Sequence, residues 1–219
     1  YTKTFSKWLC FPLWASLYIT KDKCPQGRPF ETKIEIALHM LQAIKSALNL
    51  MLTVVTDAMY IKAPVIKWAI ANQVTLIGRI RKDSVLYEPA PQRRRKGRGR
   101  PRKYGNRIKD LLRLPFKKAT LRLYDKDVEL RYHSMRAYYK SAQALVQILV
   151  VLYSDRTEPT LFLCTDFHQA PEDILKLIAA RFKIEVTFQY LKEQGGLTHW
   201  QCRKEKAVTR SATLNTCAL

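Results

Sequence analysis

The 219-residue chain carries 39 lysines and arginines against 18 acidic residues, a formal net charge of +21. Its length suits one sizeable core, with or without an inserted subdomain, and makes two independent domains a tight fit. The charge excess indicates a polyanionic partner, with nucleic acid as the first candidate and an anionic membrane surface as the second. The longest apolar run, residues 144–153, is too short to span a bilayer and predicts a buried strand instead.

The first 81 residues predict alternating strands and helices. Residues 11–20 are rich in aromatic and aliphatic types and predict a strand, and residues 29–48 have the apolar spacing of a helix. A short strand over 50–55, a helix over 65–71 and a strand over 74–80 complete the series. This order is typical of an α/β core with parallel strands.

Residues 82–143 predict a β-rich, basic insertion. Eight Lys and Arg side chains fall within residues 93–103, with Gly and Pro where a helix would break. Alternating residues on both sides of Asp125, Lys126 and Asp127 then predict a hairpin that turns at these three residues. The domain division expected is therefore 1–81 for the first part of the core, 82–143 for the insertion and 144–219 for the second part of the core.

The last part predicts two further strands and a helix. Residues 144–153 and 160–167 are apolar runs joined by a turn-like segment, and one long helix is predicted from Pro171 to a stop at Gly195 and Gly196. Five cysteines are scattered along the chain without a C-x-x-C pair, which predicts neither a disulfide framework nor a zinc site and favours a reducing cytoplasm.

Three charged residues of the long helix share one face. Arg181, Glu185 and Lys192 are separated by four and seven residues, so a carboxylate is flanked by two cations. Taken alone, this spacing is better explained as a solvated face with an Arg–Glu pair worth about 0.3 to 0.5 kcal/mol.

Asp57 directly follows an apolar strand, at a position where α/β folds commonly expose catalytic groups. The alternative is a turn or capping aspartate. Phosphodiester chemistry would give Asp57 and Glu185 a joint purpose, because carboxylates can hold two Mg²⁺ ions about 4 Å apart that act on the attacking and leaving oxygens. Neighbouring cations would then hold DNA phosphates.

These motifs resemble those of the DDE transposases of bacterial insertion sequences. The family's second aspartate ends a strand in an apolar-x-Asp-x-x-Tyr pattern, which Val55, Asp57 and Tyr60 match. Its glutamate lies in a Tyr-x-x-Arg-x-x-x-Glu-(six residues)-Lys signature, which Arg181, Glu185 and Lys192 match. Ile178 occupies the place of the tyrosine. The likeness extends to residues 11–18, 30–37 and the basic segment, and so covers nearly the whole chain.

The resemblance implies a ribonuclease-H-like core with a β-rich insertion, in which Asp57 and Glu185 are catalytic and bind Mg²⁺ or Mn²⁺. The family's first aspartate stands on a strand expected before residue 11, where this chain has no aspartate, so we expect an internal fragment that is inactive alone. Asp22 lies after the strand that resembles the third and is not assigned this role. Asp166 is a possible extra acid, but a turn or cap is about twice as probable.

The same resemblance implies double-stranded DNA as partner, comprising transposon ends and target, with Arg181 and Lys192 at the phosphates. A homodimer in the complete form and a nucleoid-associated location in the bacterial cytoplasm are also implied, with no membrane. Within the basic segment, Arg98, Arg100 and Arg102, followed by Lys103, resemble an AT-hook, in which a Gly-Arg-Pro core enters the narrow minor groove. A basic linker that touches only phosphates fits these residues about equally well.

Two other functions would also explain the high positive charge. A non-enzymatic DNA-binding protein would use the basic segment alone, and Asp57 and Glu185 would then be structural. An RNA-binding protein would be expected to carry a recognisable module such as the Lys/Arg-Gly-Phe/Tyr-Gly/Ala-Phe motif, which the sequence lacks.

Overall fold

The fold was analysed in a computed structural model, which describes residues 13–91, 102–197 and 204–217. The strands are β1 (Thr53–Thr56), β2 (Thr75–Ile80), β3 (Leu86–Tyr87), β4 (Arg107–Ile108), β5 (Lys117–Leu123), β6 (Lys126–Tyr139), β7 (Ala144–Tyr153) and β8 (Thr160–Cys164). The helices are α1 (Lys33–Leu48), α2 (Ala63–Ala71), α3 (Pro171–Arg181), α4 (Lys183–Glu193) and α5 (Glu205–Cys217). The described residues divide into two units, Met40–Ala179 and the remainder.

The larger unit is built on a single sheet in the order β1-β2-β8-β7-β6-β3-β4, with β5 paired to β6. Only β1 and β2 are parallel, and the other pairs are antiparallel. The predicted α/β class is confirmed and is consistent with a ribonuclease-H-like nuclease fold. The strands within residues 82–143 join this same sheet, because β6 pairs with β7 along ten residues.

The core lies on the sheet face that packs against α3. Ile174 and Leu175 of α3 are buried against Ile77, Leu149 and other apolar side chains of the central strands. The opposite face is covered at β2 by the segment that leads into α2. The buried run predicted for residues 144–153 is confirmed as β7, in which seven consecutive residues are buried. Among the described helices, none combines the length and apolar character needed to cross a membrane.

Local sequence signals explain where several elements begin. Thr32 and Glu35 form a capping box at the start of α1, in which each side chain bonds the backbone N–H of the other residue, at 3.3 and 2.7 Å. Pro64 stands in the first turn of α2, and Glu172 and Asp173 occupy the first turn of α3, where the helix dipole favours acids.

Three predicted elements need correction. Residues 13–20 form no strand and pair with no described strand, so their backbone groups lack a sheet partner. The β5–β6 hairpin turns at Tyr124 and Asp125, both with positive φ, and not at residues 125–127. A two-residue turn of this kind matches the twist of the flanking strands, so Lys126 and Asp127 already belong to β6.

The long helix is divided at Phe182 into α3 and α4. Phe182 keeps helical dihedral angles, but its carbonyl oxygen accepts the amide of Glu185, a three-residue bond that tightens the chain at the junction. α4 ends before Gly195 and Gly196, as predicted, with Gly196 at a φ of 66°.

Candidate functional site

Asp57 lies one residue beyond β1, at the end of the parallel pair β1–β2. Thr56 is the last paired residue and stands opposite Gly78 of β2. The Asp57 side chain is exposed, and its Oδ1 accepts the backbone N–H of Ala58 at 2.7 Å. The neighbouring Thr56 hydroxyl is buried and has no hydrogen-bond partner among the described residues. The strand end therefore presents a carboxylate to solvent, as the sequence predicted.

The turn that carries Asp57 is held against the sheet at Gly78. The amide of Tyr60 donates to the carbonyl of Asp57 at 3.0 Å, and the next residue, Ile61, is 4% exposed. A Cβ atom on Gly78 would lie 2.5 Å from Ile61 Cδ1 and 2.9 Å from the Thr56 carbonyl oxygen. Only glycine admits this approach, so Gly78 fixes the position of Asp57 relative to β2. Gly78 was not predicted as a positioning residue, although a glycine inside a predicted strand is a known sign of close backbone approach.

Glu185 belongs to the smaller unit, where it lies in the first turn of α4. Its Oε1 is 3.7 Å from Nη2 of Arg181, and the two side chains are 55% and 25% exposed. Lys192 is exposed on the same helix, seven residues further on. The predicted Arg–Glu pair is thus formed. Asp57 and Glu185 belong to different units.

Five exposed apolar or aromatic side chains lie on α4 or directly before it. These are Phe182, Ile184, Val186, Phe188 and Tyr190, each 40% exposed or more, whereas Leu191 is buried. Burial of α4 within the described part of this unit is therefore confined to Leu191.

Asp166 serves as a turn residue. Its Oδ1 accepts the amide of His168 at 2.9 Å, and its Oδ2 lies 3.4 Å from the Thr75 hydroxyl. Because β8 runs antiparallel to β2, and β2 parallel to β1, Asp166 lies at the opposite end of the sheet from Asp57. The sequence favoured a turn or capping role for Asp166, and this geometry agrees with it.

Asp22 stands in a short 3₁₀ helix, Lys21–Lys23, within the smaller unit. It is exposed, and a hydrogen bond with the Thr20 side chain lowers the pKa of its carboxyl below the usual value. Asp22 is thus an exposed acid in the first turn of a short helix, and this position gives no reason to assign it a catalytic role.

The residues that flank the basic segment are joined to each other by hydrogen bonds. Backbone hydrogen bonds of 2.8 Å join Glu88 to Gly105 and to Asn106. Tyr104 stacks between Tyr87 and Tyr138, with ring centroids 4.2 and 5.2 Å apart.

Of the four residues predicted to bind DNA from this segment, Arg98 and Arg100 lie outside the described residues. Arg102 is exposed. Lys103 donates to Gln143 at 3.0 Å, and its ammonium lies 6.0 Å from the centre of the Tyr138 ring.

No group of three or more His, Cys, Asp or Glu side chains lies close enough to hold a metal ion within residues 13–91, 102–197 and 204–217. A magnesium site does not require such a group, because Mg²⁺ is usually held by one or two carboxylates together with waters and substrate phosphates. Asp57 and Glu185 both expose hard oxygen ligands of this kind, so the donor chemistry fits.

A family model described as DDE superfamily endonuclease matches residues 8–141, which is more than half of the chain and includes Asp57. Glu185 lies outside the matched part. No curated protein matches the chain. The family match indicates a nuclease-type enzyme with DNA as its substrate, and enzymes of this superfamily generally use divalent metal ions. The chain therefore belongs to the DDE superfamily of endonucleases.

Proposed function

We propose that this chain is the catalytic part of a DNA transposase of a bacterial insertion sequence, whose complete form cleaves DNA at the element ends and joins it to a target. The observation that carries the proposal is the exposed Asp57 carboxylate at the end of β1, inside the part of the chain that the family model matches. The Arg181–Glu185–Lys192 spacing supplies the second acidic position and its flanking cations.

Asp57 and Glu185 would hold Mg²⁺ or Mn²⁺ through carboxylate oxygens. When bound, the metal would activate the attacking oxygen and stabilise the leaving oxygen of the phosphodiester. Arg181, which lies 3.7 Å from the Glu185 carboxylate, can share its remaining donors with a DNA phosphate. Lys192 adds a second cation on the same helix.

The basic segment would supply affinity for duplex DNA. Arg98, Arg100, Arg102 and Lys103 would bind phosphates or enter the minor groove in the manner of an AT-hook. We further propose the division into a core of residues 1–81 and 144–219 with an insertion of 82–143, a homodimer in the complete form, and action at the nucleoid in the bacterial cytoplasm.

This chain would supply two of the three metal-binding carboxylates expected for the family, because no aspartate precedes Asp22. Two carboxylates that must hold two divalent ions neutralise only half of the ions' charge, so the pair of ions is held weakly. The 219-residue chain alone is therefore expected to show no metal-dependent nicking of supercoiled DNA. Nicking that disappears in Asp57→Asn would contradict this expectation.

A second function, non-enzymatic DNA binding through the basic segment, is favoured by the charge of +21 alone. The two proposals differ in what Asp57 does. Iron-directed cleavage of the polypeptide separates them. With added ascorbate and hydrogen peroxide, Fe²⁺ bound in place of Mg²⁺ would reduce the peroxide to hydroxyl radical and hydroxide, and the radical cuts the backbone near the metal ligands while ascorbate returns Fe³⁺ to Fe²⁺.

We expect cuts around residues 57 and 185 that excess Mg²⁺ suppresses and that Asp57→Asn removes at both places. The matched control is Asp166→Asn, which removes an acid at the opposite end of the sheet and should leave the cuts unchanged. Cuts absent from the wild-type chain, or equal in Asp57→Asn, would favour the non-enzymatic alternative.

A further inference from the structure

A groove lies over the β5–β6 hairpin, beside the end of β7, in the larger unit. Its volume is about 620 Å³, and its polar lining consists of Lys118, Thr120, Glu129, Arg131, Ser154 and Arg156. Three cations against one carboxylate give it a net charge of 3 − 1 = +2, and two hydroxyl groups add uncharged donors. This combination of donors is suited to an anion with several oxygen acceptors.

Two of the cations stand directly opposite each other. Lys118 of β5 pairs in register with Arg131 of β6, and like charges in this cross-strand position destabilise a sheet. Both side chains are exposed, and neither forms an ion pair with an acid in the described part of the chain. The hairpin therefore keeps an uncompensated positive pair that a bound anion would relieve.

The third cation approaches from the turn after β7. The Arg156 guanidinium lies 5.6 Å from the centre of the Tyr153 ring, and its Nε is 3.6 Å from the Asp155 carboxylate of the adjacent residue. The aromatic contact holds the stem of Arg156 against the sheet end and leaves donors of the guanidinium directed to the groove or to solvent.

The groove lies further along the sheet than Asp57, in the direction in which β1 runs. β1 is parallel to β2, β2 is antiparallel to β8, and β8 is antiparallel to β7, so β1 and β7 run in the same direction. Asp57 follows the end of β1, and Ser154 follows the end of β7. The register places Thr56 level with Gly78, Leu163 and Ile148, so Leu152 and Ser154 lie four and six residues further along, about 13 to 20 Å. Three strand spacings separate β1 from β7 and five separate β1 from β5, about 14 to 24 Å across the sheet, so the groove lies about 20 to 30 Å from Asp57.

We infer that this groove binds the phosphate backbone of duplex DNA at a second point, about six to nine base pairs from the phosphodiester presented to Asp57. The inference rests on the proposed function, since it takes Asp57 as the cleavage position. The groove would hold one duplex across the sheet and so orient the phosphodiester at Asp57. Its lining includes no residue of the basic segment or of α4.

The test compares two triple variants of the whole chain, each lacking three positive charges. One carries Lys118→Gln, Arg131→Gln and Arg156→Gln in the groove. The other carries Lys67→Gln, Lys126→Gln and Lys140→Gln, which are exposed residues of the same unit outside the groove lining. Affinity for a 20-base-pair duplex is measured by fluorescence anisotropy from low to moderate salt, and thermal unfolding is recorded for each protein.

The groove variant should bind about tenfold more weakly at 0.1 M salt, and its slope of log K against log salt should flatten by up to about 2.7 units, or 0.9 for each lost contact. The control variant should change the slope by less than about one unit. Arg131→Lys, which retains the charge, should stay close to the wild-type slope. Equal slopes in the two triple variants would overturn the inference and leave the proposal on Asp57 and Glu185 untouched, because that proposal is tested by metal-dependent cuts.

A second measurement uses the wild-type chain, so it does not depend on how well the groove variant folds. It also distinguishes binding of DNA from binding of a small anion. Wild-type chain is titrated with duplex DNA and with inorganic phosphate while the accessibility of the groove lysine, Lys118, is followed by amine acetylation. Protection by micromolar DNA but not by millimolar phosphate is expected. Protection by phosphate alone would assign the groove to a small anion and overturn the inference.

Discussion

A methyl group added at Gly78 tests whether the approach of the Asp57 turn to β2 is as close as described. In Gly78→Ala, the new Cβ would stand 2.5 and 2.6 Å from two side-chain carbons of Ile61 and 2.9 Å from the Thr56 carbonyl oxygen. Carbon atoms pack favourably at about 3.5 to 4.0 Å, so the overlap is about 1 Å. Ile61 is 4% exposed and has little free space into which to withdraw.

Overpacking of this kind costs about 1 to 3 kcal/mol, and the gain from replacing glycine in a strand offsets up to about 1 kcal/mol of it. The net expectation is a loss of about 1 to 2 kcal/mol, which is a fall of about 2 to 8 °C in the unfolding midpoint. Thermal and urea unfolding measure it. Because the displaced Thr56 carbonyl directly precedes Asp57, the iron-directed cuts near residue 57 should also weaken.

A double-mutant cycle distinguishes this contact from a general effect on β2. Ile61→Ala alone should cost about 2 to 5 kcal/mol, because it leaves a cavity at a buried position. Combined with Gly78→Ala, the new methyl occupies part of that cavity, so the double variant should be more stable than additivity predicts by at least about 1 kcal/mol. Wild-type stability of Gly78→Ala, or strict additivity in the cycle, would refute the reasoning.

Two further predictions concern the basic segment and α3. Replacing Arg98, Arg100 and Arg102 by Ala should flatten the salt dependence of DNA binding by up to about three units, and an unchanged slope would remove the segment from the binding surface. Tyr132 donates a hydrogen bond to Glu172 and thereby lowers the pKa of that carboxyl, with Lys117 contributing at 3.6 Å. A lowered folded-state pKa stabilises the protein above the unfolded-state pKa, and this stability is lost as the pH falls from about 5 through the lowered value. Tyr132→Phe should therefore cost about 1 kcal/mol at pH 7 and less below pH 4. Equal losses in urea unfolding at both pH values would contradict this.

Most of the elements could be predicted because their signals are local. The capping box at Thr32 and Glu35, Pro171 at the start of α3 and the continuous apolar run of β7 each appear in a few consecutive residues. The hairpin turn was predicted one residue too late, since Tyr124 takes a positive φ that its residue type rarely adopts. Residues 11–20 have strand-like composition, but composition cannot supply a pairing partner.

Tertiary features were harder to predict. The position of Asp57 at a strand end was predictable because the strand and the acid are adjacent in the sequence. Gly78 and the opposed Lys118 and Arg131 depend on which strands become neighbours and in which register. The contacts of Gly78 join residues 17 and 22 positions apart, and Lys118 and Arg131 are 13 positions apart, so no periodicity within one element contains these relations.

The most direct test of the central claim, that Asp57 and Glu185 are the metal-binding acids of a DNA-cleaving enzyme, is cleavage by a complete transposase that contains these 219 residues together with a first aspartate. Wild type, Asp57→Asn and Glu185→Gln are compared for Mg²⁺-dependent cleavage of DNA carrying the element ends, and DNA affinity is measured in parallel. Both variants should lose more than about 100-fold in cleavage rate and keep DNA affinity within about twofold, because the acids bind metal while the basic residues bind DNA. Cleavage at the wild-type rate in either variant would contradict the account.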